Sequence, residues 1–122
     1  MQDKNNHIGR PPRITPFTDQ PLYYITFNTH NRLSLLANED IHARFINFAS
    51  KAETKGAAIG RYVIMPDHIH LFLRCHHSLR IGDTIRLLKR SLSASIKHTL
   101  PHWQPGFFDH IIRQGESYHE KW

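Results

Sequence analysis

The sequence predicts an α+β domain with four strands and two helices in the order β-α-β-β-α-β, the helices sharing one face of an antiparallel sheet. Three observations predict it. Short runs rich in β-branched and aromatic residues alternate with two longer segments of helical period. The two middle runs are separated only by Pro66–Asp67, a tight break that makes them a hairpin. At 122 residues the chain has room for one core and no second domain.

The elements follow in order. Residues 1–20 form an irregular basic arm, because Pro11, Pro12 and Pro16 forbid a helix and Arg10 and Arg13 add charge. Leu22 to Asn28 is the first strand. A turn over Thr29 to Leu36 leads to a helix from Glu39 to Lys55, where Ile41, Phe45, Phe48 and Ala52 recur at helical spacing. Asn38 caps that helix, Glu39 and Asp40 suit its positive end, and Gly56 stops it. Ala57 to Met65 and His68 to Arg74 are the hairpin strands. A second helix runs from Leu79 to about Leu100, with Ile81, Ile85, Leu88, Leu92 and Ile96 as its buried stripe and Pro101 as its stop. Phe107 to Arg113 is the last strand, and Glu116 opens a further helix. The order is that of ferredoxin-like sandwiches, in which the second sheet face is left open.

Composition narrows the function. Hydrophobic residues make up 39% and charged residues 21%, so the chain is globular and not disordered. A formal charge of +6 favours a polyanionic partner, nucleic acid first. The single cysteine, Cys75, excludes an intrachain disulfide and a cysteine-rich zinc site, and fits a cytoplasmic setting. No apolar run approaches the length of a membrane span, and the polar start is not a secretory signal.

The chemistry centres on His68 and His70. Alternation along a strand puts His68, His70, Phe72 and Arg74 on one face, with Ile69, Leu71 and Leu73 packed under the helices. Residues at i and i+2 stand about 6.5–7 Å apart, close enough for two imidazoles to converge on one metal ion. With eleven histidines in the chain, a His-x-His pair also arises by chance. His76 and His77 are expected in a loop, and His42, His98 and His119 on helix surfaces.

Three blocks carry a specific resemblance. Tyr62 to Leu73 (YVIMPDHIHLFL), Trp103 to Arg113 (WQPGFFDHIIR), and Glu116-Ser117-Tyr118 with Lys121 resemble, in order and separation, the signatures of single-tyrosine HUH transposases. The likeness is strongest to the REP-associated tyrosine transposases and covers roughly Leu22 to Trp122. It implies that His68 and His70 hold a divalent ion, Mg²⁺ or Mn²⁺. It also implies a tyrosine on the last helix that attacks a DNA phosphate, and a polar third ligand one turn later. In the family's pattern the nucleophile is the second tyrosine of that helix. The register therefore sets it about two residues past Trp122, since a helix repeats every 3.6 residues or so. The domain, 21–122, is thus expected to be truncated inside the catalytic helix. Tyr118 is the one tyrosine near this segment and is expected to be structural rather than the nucleophile.

The expected partner is single-stranded or hairpin DNA, with no membrane role and with a homodimer left open. Candidate contacts are Arg86, Lys89, Arg90 and Lys97 on the second helix, whose charges could meet phosphates. Tyr24 and Asn28, which share the histidine face with Thr26, could meet bases. Trp103 is either a further contact or a core residue. Three other readings stay open: a non-catalytic DNA-binding remnant of the same fold, an RNA-binding ferredoxin-like module, and a phosphoesterase of another family.

Overall fold

A computed structural model describes residues 19–112. Most of the basic arm, the chain from Arg113 onward, and Tyr118 and His119 with it, lie outside the described residues. The element order is β1 (Leu22–Asn28), α1 (Glu39–Thr54), β2 (Ala57–Ile64), β3 (His68–Cys75), α2 (Ile81–Ser93) and β4 (Phe108–Ile112), with a short 3₁₀ turn at His30–Arg32. The sheet order is β2-β3-β1-β4, and every neighbouring pair is antiparallel. Each helix therefore links two strands that flank a third: α1 carries the chain over β3, and α2 carries it over β1. The α+β class and the ferredoxin-like order expected from the sequence are those of the protein.

Burial follows the strand alternation. Ile25 and Phe27 of β1, Ile69, Leu71 and Leu73 of β3, and Tyr62 and Ile64 of β2 face the helices. Ile41 and Phe45 of α1 and Ile85, Leu88 and Leu92 of α2 close over them. At the bulge in β2 the register shifts between Ile59 and Tyr62, so that both residues stay opposite core positions, Leu73 and Leu71.

Local signals act as their chemistry requires. The Asn38 side chain accepts from the Ile41 amide at 3.0 Å, satisfying a free N–H of the first turn of α1. Gly56 ends that helix in the left-handed region at φ 102, and a Cβ there would meet Leu79 Cδ1 and His76 Cβ at 3.2 Å. Glycine is needed twice over, for backbone and for space.

Two expectations are corrected. The second helix ends at Ser93 and not near Leu100. Ala94, Ser95 and Ile96 donate to carbonyls three residues back, which tightens the turn. The returning chain then ties onto Ser93: Trp103 Nε1–H donates to Ser93 Oγ at 2.9 Å, and His102 Nδ1 lies 2.9 Å from the same oxygen. His102 Nε2 donates to the His98 carbonyl at 2.8 Å, so Nδ1 is the acceptor and the serine hydroxyl donates to it. Secondly, His42 is not a surface residue. It is buried, with Nε2 at 2.7 Å from the hydroxyl of Tyr62, which gives both polar groups a partner in the core.

Candidate functional site

The site is built on β3 because that strand is the best anchored on its other face. Ile69, Leu71 and Leu73 are fully buried, and β3 is hydrogen-bonded on both sides, to β1 and β2. The Pro66–Asp67 turn is closed by the Met65 amide donating to the His68 carbonyl at 2.8 Å. His68 and His70 consequently stand side by side on the face away from the helices, with ring centroids 4.7 Å apart and planes at 87°.

Each imidazole is held through Nδ1. His68 Nδ1 lies 2.7 Å from Asp67 Oδ1, and Asp67 Oδ2 accepts from Arg32 Nε at 3.0 Å. Hydrogen bonding by His68, then by Arg32, holds the Asp67 carboxyl below its ordinary range, so it is an ionised acceptor. His70 Nδ1 lies 2.9 Å from Thr26 Oγ1 and 3.0 Å from the hydroxyl of Tyr24, whose ring stacks on the imidazole at 10°. Burial, and secondarily the charge of His68, pushes the His70 imidazolium below its ordinary range and favours the neutral ring. Burial raises the Tyr24 phenol, which stays protonated.

This donor set suits a divalent ion. A metal-binding histidine is neutral and offers one nitrogen while the other is held by a second group. Each ring has its Nδ1 engaged, and neither Nε2 has a hydrogen bond among the described residues. Among those residues no group of three His, Cys, Asp or Glu side chains could hold a metal.

Of the residues expected at the site, the sheet brings together His68, His70, Tyr24 and Asn28. Asn28 is directly opposite His68, Thr26 opposite His70, and Tyr24 opposite Phe72. Phe108 and His110 of β4 continue this face beside Thr26 and Tyr24, and Phe108 is 63% exposed. The basic residues of the second helix are not gathered here, since both helices cover the opposite face. Arg86 and Arg90 are exposed on α2, Arg86 lying 3.7 Å from Asp83, and Lys97 is exposed beyond the end of α2.

Lys89 has a different task. Its ammonium donates to the carbonyls of Gln104 and Gly106 at 3.1 and 2.6 Å and sits 5.7 Å from the centroid of the Phe27 ring. Burial lowers its basicity. It is a tie between α2 and the loop before β4. Trp103 is a core residue: its ring meets Phe27 at 5.4 Å and its N–H is spent on Ser93 and the Lys89 carbonyl. Sequence reasoning did not single out Arg32 or Asp67. The signal for Asp67 was its place directly before His68; nothing local marked Arg32, which reaches the site from a turn 35 residues away in sequence.

Fold and site together define an α+β sheet domain that presents a pair of imidazoles, each held through Nδ1, on the partly aromatic sheet face away from the helices. Residues 18–114 match the family model described as "Transposase IS200 like", and the chain belongs to that family. Two solved structures are similar in fold. One is a REP-associated tyrosine transposase bound to a REP hairpin, with a TM-score of 0.66 and 21% identity, covering 99% of this chain and 68% of that one. The other is a candidate transposase from Deinococcus radiodurans R1, with a TM-score of 0.61 and 20% identity, covering 99% of this chain and 90% of that one. At these identities the likeness concerns the fold. No curated protein matches. No helix among the described residues is long and apolar enough to cross a membrane.

Proposed function

We propose that this transposase-family chain acts on single-stranded or hairpin DNA, cutting and rejoining it with a divalent ion held by His68 and His70 and with a tyrosine as nucleophile. The observation that carries the reading is the imidazole pair, with each Nδ1 engaged and each Nε2 without a partner among the described residues. Mg²⁺ or Mn²⁺ bound there would supply positive charge to a DNA phosphate, and imidazole ligation suits Mn²⁺ the better of the two. The family relationship and the hairpin in the REP-associated neighbour support DNA as the partner.

The chain's own residues have the remaining tasks. Tyr24 and Thr26 orient His70, and Asn28 and Phe108 offer an amide and an aromatic surface to unpaired bases. The tyrosine is assigned to the C-terminal segment past the described residues. Its oxygen would form a phosphoester as the 3′ oxygen leaves with a proton, so one phosphoester replaces another and rejoining needs no ATP.

The test has two parts. Mn²⁺ titration followed by electron paramagnetic resonance is expected to show one bound ion, lost in His68→Ala. Incubation of labelled hairpin DNA and Mn²⁺ with a chain that carries the expected tyrosine, about two residues past Trp122, is expected to give a covalent adduct in denaturing gels. An unchanged Mn²⁺ affinity in His68→Ala refutes the metal assignment. Metal and hairpin binding without an adduct would leave a DNA-binding role for the chain and refute cleavage by it.

A further inference from the structure

We propose that Asp67, braced by Arg32, is the positioning residue that makes His68 a metal ligand. The proposal rests on the metal reading above and concerns what the two rings do not share. His70 is held by two hydroxyls, from Tyr24 and Thr26, and a hydroxyl can donate or accept. Those partners fix where the ring lies but not which nitrogen carries its proton. His68 instead faces a carboxylate at 2.7 Å. An ionised carboxylate only accepts, so it puts the proton of neutral His68 on Nδ1 and leaves the Nε2 lone pair for the metal.

The carboxylate is itself held from the far side. Arg32 Nε donates to Oδ2 at 3.0 Å, which stops Asp67 from rotating away. Arg32 Nη2 stands 3.4 Å from His68 Nδ1; a guanidinium only donates, so this longer contact favours a bare Nδ1, and the 2.7 Å contact to the acceptor-only carboxylate outweighs it. The turn that delivers Arg32 departs from ordinary backbone. Asn31 and Arg32 have φ of 52 and 56, consecutive left-handed positions in side-chain-bearing residues. Such a conformation persists where its surroundings enforce it. Here Thr29 does so: its amide donates to the Asp67 carbonyl at 2.9 Å, and its hydroxyl bonds the Leu33 carbonyl at 2.7 Å. The turn is therefore pinned to the backbone of the residue whose side chain it braces.

Two measurements on the full chain test this. The first needs no metal: long-range proton–nitrogen correlation at a pH where imidazoles are neutral. His68 is expected as the Nδ1–H tautomer in the parent, and shifted toward Nε2–H in Asp67→Ala. The second is the Mn²⁺ titration. Loss of an outer partner of a metal-bound histidine weakens affinity about 10–100-fold. Asp67→Ala should fall in that range and Asp67→Asn should recover most of the loss, since an amide oxygen can accept from Nδ1–H. Arg32→Ala should lose a few-fold at most, by the same reasoning.

An Nε2–H tautomer for His68 in the parent overturns the proposal, and that result does not depend on any variant folding. So does Mn²⁺ binding by folded Asp67→Ala within about twofold of the parent while His68→Ala has lost it. If His68→Ala and His70→Ala also bind like the parent, the metal reading fails and the proposal falls with it.

Discussion

Replacing Lys89 by Met separates the fold of this domain from its encounter with DNA. Composition makes Lys89 look like a phosphate contact, but its ammonium donates to the Gln104 and Gly106 carbonyls. Methionine keeps most of the stem that packs beside Phe27 and removes both bonds. Hydrogen bonds from charged donors contribute about 1.5–3 kcal/mol. These lie at the surface, where water can replace the donor, and the half-buried amine gives back part of the gain in desolvation. The expected net loss is about 1 kcal/mol, or a fall of about 3–5 °C in melting temperature for a chain of this size.

A pH signature accompanies it. Burial lowers the Lys89 pKa from 10.5, so between its folded value and 10.5 the unfolded chain binds the extra proton. Parent stability therefore gains a rising contribution as pH climbs through that window, and Lys89→Met lacks it. The assay is thermal unfolding from pH 7 to pH 10.5 alongside hairpin binding at several salt concentrations. Lys89→Met should leave the salt slope of binding unchanged, whereas removing a phosphate contact lowers it by about 1. A variant that melts with the parent and has a reduced slope would refute this account and return Lys89 to the DNA surface.

Two other predictions concern the elements that frame the site. Asn38→Ala should lower stability by about 1 kcal/mol through loss of the cap on α1, read as a shifted urea midpoint; an unmoved midpoint would remove the cap from the reasons this helix starts where it does. Asp67 is held below its ordinary value of 3.8, so its interactions stabilise the fold above that pH and are lost as pH falls through the lower, folded value. Urea midpoints at pH 5 and pH 3 should therefore drop more in the parent than in Asp67→Asn, and equal drops would mean the carboxylate is not coupled to folding.

What the chain says directly is what depends on near neighbours. Strand period, hairpin break, cap and stop are settled within a few residues, so β1, α1 and the β2–β3 hairpin lie where their residues indicate. The imidazole pair was legible for the same reason: alternation along one strand puts His68 and His70 together whatever surrounds them, and the intervening Ile69 anchors the strand. The end of α2 was not legible, because local periodicity continues to Ile96 while the bonds that end the helix come from His102 and Trp103. His42 carries the same message: its partner Tyr62 is twenty residues away, and only folding makes that position a satisfied core site.

Composition alone determined that the chain is basic, globular and built on one core. Which of its cations stay free was decided by tertiary structure. Lys89 and Arg90 are adjacent in sequence, yet one is tied to a loop and the other is exposed. Likewise Arg32 joins the site only because β1 and β3 pair, bringing the turn after one strand onto the turn before the other. A residue's chemistry is written in the chain, but its partners are set by contacts distant in sequence.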